Sequence, residues 1–326
     1  MKRRNILIAL GASAALVMGL TACSSTPAAP AASGDATAGG LITIIVNDPA
    51  NPYWKTEGDV AKAAAEKLGY TATVGAHKGD TNTENTLIDT AISNNSKAII
   101  LDPANADGSI AAVKKAIAAK IPVFLVNAEI NQSGVALAQL VSNNAQGAAI
   151  GAGEWVKQLG DTGSYVELFG APSDNNAQTR SNGFETVIKQ YPGLVKAGKE
   201  VADWDRTKGH DKMQTLLQAN PTLTGVISGN DEMALGAIAA LGEAGKTGVL
   251  VGGFDGSPDA VAAVLSGKLA YTVLQPVAVF SKEAVKIADE YIRTGKAPAQ
   301  EKQSFDCILI TKANASKMTD PFTYAG

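Results

Sequence analysis

Aromatic side chains recur beside compact hydrogen-bonding groups at the breaks between apolar runs of this sequence. Asn47, Asp48, Asn51, Tyr53 and Trp54 follow the first β-prone run, and Asn127 with Glu129 follows a later one. Arg180 falls within a predicted helix, Asp203, Trp204, Asp205 and Arg206 follow a further strand candidate, and Asn230 with Asp231, then Asp255, come after two more. Such a set suits a polyhydroxylated molecule: rings cover its C–H faces, carboxylates accept, a guanidinium donates and carboxamides do both. A solitary aromatic is more readily a core residue, and one of Asp203 and Asp205 fits a helix cap or a loop salt bridge equally well. The pattern is that of recognition.

Bond-breaking chemistry finds little support. The histidines, His77 and His210, are far apart and lack nearby cysteine or metal-ligand spacing, so no metal site is expected. There is no phosphate-binding GxxxxGK[ST] segment, no GxSxG nucleophile and no complete GxGxxG fingerprint. Gly151-Ala152-Gly153 sits inside a predicted helix, and Gly252-Gly253-Phe254-Asp255-Gly256 reads as a strand-end loop. No catalytic residue and no cofactor is expected.

The elements that must position these residues alternate between strand and helix. Strand signals at 41–46, 70–74, 97–101 and 121–126 are separated by helical signals from Asn51-Pro52 to before Gly69, at 83–93 and at 107–120. Asn suits the helix cap and Pro the first helical position, and Trp54, Val60, Ala64 and Leu68 can share one helical side. A second series begins near Ser142, with helices at 145–159, 176–190, 209–219, 232–242 and 257–265 and strands at 164–168, 199–202, 224–228, 248–251 and 270–274. This is an α/β pattern with parallel strands, better divided into two three-layer domains than drawn as one sheet. In such sheets ligand groups gather beyond the carboxyl ends of the strands, which lets residues distant in sequence converge.

The N-terminus carries different information. Lys2, Arg3 and Arg4 precede an apolar run to Leu20, and Leu20-Thr21-Ala22-Cys23 follows. The run of about 15 residues is short for a membrane span. It reads as a signal peptide over 1–22, either plain or of the lipoprotein kind, in which Cys23 becomes acylated. Residues 23–40, rich in Ala, Ser, Gly and Pro, read as a flexible tether. Removing residues 1–22 takes away three cations and turns the formal net charge of −3 into −6, which argues against nucleic acid. With Cys23 acylated, Cys307 has no intramolecular disulfide partner.

Several segments together resemble the periplasmic sugar-binding family of ABC importers typified by ribose-binding protein. They are Asn51-Pro52-Tyr53-Trp54, Ile99-Ile100-Leu101-Asp102-Pro103, Asn230-Asp231-Glu232-Met233-Ala234-Leu235-Gly236-Ala237 and Gly253-Phe254-Asp255-Gly256-Ser257-Pro258-Asp259. The resemblance runs from about Leu41 to the C-terminus. It implies the type I periplasmic binding protein fold, two three-layer α/β domains around a central cleft, joined by crossings near Ser142–Asn143, Gln275 and Phe305–Asp306. The implied lobes are 41–142 with 276–304, and 143–275 with 305–326.

The same resemblance implies ligand contacts at Asn47, Asn51, Tyr53, Trp54 and Asn127 on one side, and at Arg180, Trp204, Asn230, Asp255 and Gln275 on the other or at a hinge. Where ribose binders carry an Asp-Arg pair this chain has Asn127-Ala128, and Glu129 cannot replace a guanidinium because an ionised carboxylate only accepts. A small neutral sugar or sugar alcohol of four to six carbons is therefore expected ahead of D-ribose, with Arg180 keeping sugar acids open. The implied partners are an ABC permease and its ATPase, together with membrane lipid through Cys23. The chain is expected to be a monomer in the periplasm or on the outer face of the bacterial cell membrane. A carbohydrate sensor presenting ligand to a membrane receptor, or a pentose-specific binder, is the alternative reading.

Overall fold

The computed structural model describes residues 39–319 and 322–326; the expected signal peptide, Cys23 and all of the expected tether but Gly39 and Gly40 lie outside them. The first series comprises β1 (Leu41–Val46), α1 (Pro52–Lys67), β2 (Thr71–Ala76), α2 (Thr81–Ser93), β3 (Ala98–Leu101), α3 (Ile110–Ala118), β4 (Val123–Val126) and β5 (Ala138–Ser142). The second comprises α4 (Asn144–Leu159), β6 (Thr162–Phe169), α5 (Asn175–Ile188), β7 (Gly193–Val201), α6 (Arg206–Ala219), β8 (Gly225–Ser228), α7 (Asp231–Glu243), β9 (Leu250–Gly252), α8 (Pro258–Ser266) and β10 (Thr272–Leu274). After these come α9 (Val277–Thr294), β11 (Lys302–Phe305) and β12 (Ile308–Ile310).

The strands form a parallel sheet in the order β11-β5-β4-β3-β1-β2 and a second parallel sheet in the order β7-β6-β8-β9. β10 and β12 pair antiparallel, and bridges Gly252–Tyr271 and Asp255–Leu274 bring this ribbon alongside the end of β9. Alternation along β1 explains how the first sheet is covered on both faces. Ile42, Ile44 and Val46 join Ala61 and Ala65 of α1 and Phe280, Ala284 and Ala288 of α9, whereas Ile45 joins Ile88 of α2 and Val113 of α3. The second sheet repeats the scheme, with Tyr165 and Ile227 against Trp155 and Phe184, and Val166, Leu168 and Val226 against Met213, Leu216 and Met233.

The buried face of α1 differs from the expected one. Tyr53, Trp54, Glu57, Gly58, Ala61 and Ala65 face inward, Val60 and Ala64 are only half-buried, and Leu68 is exposed. An apolar-only pattern could not find this side, because it carries a carboxyl group and a glycine. A side chain at Gly58 would meet Val74, with its Cβ 3.0 Å from that residue's Cγ1. β7 is longer than the expected strand, α3 is shorter than the expected helix, and β5, β11 and β12 were not anticipated.

The chain passes from one sheet to the other between β5 and α4, between β10 and α9, and between β11 and β12. Two of these passages are tied together: the Asn143 amide donates to the Phe305 carbonyl at 2.7 Å, and Asn143 Nδ2 to Asp306 Oδ1 at 2.9 Å.

Candidate ligand-binding site

Polar residues collect where the strands of both sheets end. Asn47 and Asn51 follow β1, Asp102 follows β3 and Asn127 follows β4; Asp174 follows β6, Trp204 β7, Asn230 β8, Asp255 β9 and Gln275 β10. Helix starts hold several of them. Asn51 caps α1 by accepting from the Tyr53 amide at 2.9 Å, Asp174 caps α5 through the Asn176 amide at 2.8 Å, and Asn230 caps α7 through the Met233 amide at 2.9 Å. The helix ends that the sequence must cap thus deliver polar groups to the cleft.

Two cavities share the walls Asn51, Trp54, Asn127, Asp174 and Trp204. The inner chamber holds about 20 Å³ and is lined by Asn51, Tyr53, Trp54, Asn127, Arg180, Trp204, Asn230, Asp255 and Gln275, together with Asp174 and Asn176. The outer chamber, about 560 Å³, includes Asn47, Asp102 and the Asp203–Arg206 loop. Nine of the sequence-predicted contacts therefore meet at the inner chamber, and Asn47 faces the outer one. Asp102, Asp174 and Asn176 were not singled out: Asp102 stood within a recognised segment, and the other two carry signals shared with any helix start.

Arg180 is 3% exposed and held on several sides. Its Nε donates to Asn144 Oδ1 at 2.7 Å and its Nη1 to the Gly229 carbonyl at 2.8 Å, while Nη1 lies 3.5 Å from Asp255 Oδ1. The guanidinium carbon sits 4.0 Å from the Phe254 ring centroid and 5.1 Å from that of Trp204, within cation–π range. Gln275 Nε2 donates to Asp255 Oδ1 at 2.7 Å, leaving Gln275 Oε1 buried without a partner. Burial pushes Asp255 up to about 7 against the opposing pull of Arg180. Behind it, buried Asp231 accepts from Thr272 Oγ1 and from the Ser257 amide, each at 2.7 Å.

On the opposite wall Tyr53 Oη donates to Asn127 Oδ1 at 3.0 Å, and Asn127 Nδ2 donates to Asp102 Oδ2 at 3.0 Å. Burial raises the Tyr53 phenol well above its ordinary value, so it remains a donor. Asp102 and the fully buried Glu57 are likewise raised well above the carboxylate range by burial, and neither Glu57 oxygen has a hydrogen-bond partner. His77 is kept neutral by burial and pins the end of β3, with Nε2 donating to the Asp102 carbonyl at 2.8 Å.

Backbone strain concentrates here. Asn127, Asp203, Trp204 and Asp255 have φ of +61°, +50°, +66° and +130°, a region costly for residues with a Cβ. Trp204 lies so close to Gly170 that a Cβ there would come within 2.1 Å of the indole, so the glycine is needed for the ring to occupy this wall.

Aromatic rings and polar side chains from both sheets thus line two adjoining chambers, a narrow inner one and a wider outer one. Among the described residues no group of three metal-ligating side chains converges. The sequence matches the family described as "Periplasmic binding protein domain" over residues 42–297. It is 50% identical over 280 residues to the D-apiose import binding protein of Actinobacillus succinogenes, covering 86% of this chain and 90% of that one. It is 34% identical over 281 residues to the ribose import binding protein of Salmonella typhimurium, covering 86% and 93%. An ABC transporter solute binding protein from Mycobacterium smegmatis, solved with bound glycerol, superposes with a TM-score of 0.81 at 28% identity, covering 88% of this chain and all of that one.

Proposed function

The chain belongs to the periplasmic binding protein family, and on that premise we propose that it is the solute-binding component of an ABC importer, capturing a small neutral sugar or sugar alcohol of four to six carbons. The observation that carries this reading is the inner chamber itself, where Tyr53, Trp54 and Trp204 surround Asp255, Gln275 and Arg180 drawn from the ends of two sheets. The lobes we assign are 41–142 with 276–304, and 143–275 with 305–326. The contacts we assign are Asn47, Asn51, Tyr53, Trp54, Arg180, Trp204, Asn230, Asp255 and Gln275; Asn127, the tenth expected contact, lines the same chamber with its amide engaged by Tyr53 and Asp102.

A ligand touched by both lobes binds the closed arrangement more favourably than the open one and shifts the population toward closure. ATP hydrolysis and membrane passage belong to partner subunits, a permease and its ATPase. Acylation of Cys23 anchors the monomeric chain at the outer face of the cell membrane, with the body in the periplasm. D-apiose and D-ribose enter the candidate list from the names of the relatives, and glycerol, a three-carbon polyol just below that range, joins the screen from the bound structure. A thermal-shift and calorimetric screen over neutral sugars, polyols and sugar acids tests the reading. Micromolar or tighter binding of a neutral compound supports it, whereas exclusive binding of acids, or of no carbohydrate, sinks it.

A further inference from the structure

Asn127 faces both chambers, yet its amide is already engaged by the protein: Oδ1 accepts from the Tyr53 hydroxyl, and Nδ2 donates to Asp102. The residue it steadies is 2% exposed, closes β3 and lines the outer chamber. From the other sheet Asp174 lines both chambers, with Oδ1 occupied by the α5 cap. Each carboxylate has a tryptophan for a neighbour. The Trp54 N–H favours the ionised form of Asp102, and the Trp204 N–H that of Asp174. Even so, Trp54 Nε1 is buried and meets no acceptor in hydrogen-bonding geometry. The two acids also sense each other, since the charge of Asp174 opposes ionisation of Asp102. The cleft thus carries one carboxylate on each side, Asp102 with Oδ2 and Asp174 with Oδ1 engaged by the protein and both on the chamber walls.

We propose that Asp102 and Asp174 are ligand contacts, one from each side of the cleft, that accept hydroxyl donors of the bound molecule, and that Asn127 is a positioning residue for Asp102. This rests on the reading of neutral sugar or polyol capture and names the atoms that choose the ligand class. A compound with hydroxyls on opposite edges satisfies both acids at once. A sugar acid would set its carboxylate beside these acids and is disfavoured.

The test is calorimetric titration of the purified full-length protein with D-apiose, D-ribose and xylitol. Wild type is compared with Asp102→Asn, Asp102→Glu, Asp174→Asn, Asn127→Ala and the double variant Asp102→Asn/Asn127→Ala. Asn keeps the size of Asp and, at position 174, its ability to cap a helix; circular dichroism verifies folding. Asp102→Asn and Asp174→Asn are each expected to bind the best wild-type ligand at least tenfold more weakly, and Asp102→Glu, which keeps the acceptor, to recover part of the loss. The double variant is expected to stay within twofold of Asp102→Asn, because a residue acting only through its partner adds nothing once that partner is changed. Affinity retained within twofold by either Asp→Asn variant overturns the contact assignment, and additive losses in the double variant overturn the positioning role. Wild-type binding of no neutral sugar or polyol, in these titrations or in the wider screen, overturns the underlying reading, and this assignment with it.

Discussion

Asn176 Nδ2 donates to the backbone carbonyl of Asn127 at 3.1 Å, joining a helix on the second sheet to the end of a strand in the first. Asn176 also accepts from Asn144 Nδ2 at 2.8 Å, and Asn144 in turn receives Arg180 Nε, so the bond continues toward Asp255. Nearby, the Ala106 amide meets the Ser173 carbonyl at 2.9 Å, and Asn175 Nδ2 meets Asn131 Oδ1 at 2.7 Å. Closure is therefore held partly by protein alone. Asn176→Ala should weaken binding of the best ligand by roughly fivefold to tenfold, since a net hydrogen bond is worth about 1 kcal/mol. Small-angle scattering of the unliganded variant should show a larger radius than wild type; an unchanged radius and affinity would count against a cross-cleft role.

Trp204→Ala should cost about 1–3 kcal/mol of binding if the ring covers the ligand. Gly170→Ala tests the same wall without deleting the ring, because its new Cβ pushes directly on the indole. Affinity should fall in both variants, read by calorimetry, while Gly170→Ala keeps its indole fluorescence with a shifted maximum. Normal affinity in both would return Trp204 to the core.

Asp255→Asn replaces an acceptor beside Arg180 by an amide of the same size. Loss of a buried charge-assisted contact costs about 2–5 kcal/mol, so neutral-ligand affinity should drop by at least tenfold while sugar-acid binding drops less. Titration with both compound classes decides. Undiminished neutral-ligand binding would remove Asp255 from the site.

Burial holds Asp174 at about 6 and Asp255 at about 7. An unfolded aspartate releases its proton near pH 4, so between about pH 4 and 7 the folded chain binds more protons than the unfolded one. Stability contributed by these groups is therefore greatest on the acid side of that window and declines as pH rises through it. Calorimetric melting of unliganded protein at pH 5 and 7.5 should show Asp255→Asn gaining relative to wild type at the higher pH, by roughly 2 °C or more. A difference between the two proteins that is flat with pH, or slopes the other way, would contradict the buried-acid account.

Cys23→Ala removes the sulfur to which lipid would attach. The variant should lose lipid labelling and leave the membrane fraction or persist as a longer precursor. Unaltered membrane recovery with labelling would rule out anchoring at this residue.

Much of this architecture was legible locally. Asn51-Pro52 announces the start of α1 because capping is decided within four residues, and strands such as Ile99–Leu101 announce themselves by apolar runs buried on both faces. β11 was not legible. Lys302-Gln303-Ser304-Phe305 carries no apolar run to mark a strand, and it becomes one because the returning chain pairs along the edge of β5. Glu57 hid the buried side of α1, since a carboxyl on the inward face runs against the expected pattern. At the site, rings and strand-end amides stood out by type. Asp102 and Asp174 did not, because a lone aspartate after a strand is as readily a turn or cap residue, and only proximity in three dimensions separates those roles.

β1 begins at Leu41, near the first of the described residues, and runs parallel to its neighbours toward the loops that carry Asn47 and Asn51. Six residues of strand span about 20 Å. A pull applied ahead of Leu41 thus acts on the base of its sheet, at the end opposite the cleft. Its leverage falls on one sheet alone, leaving the other to swing about the passages tied by Asn143.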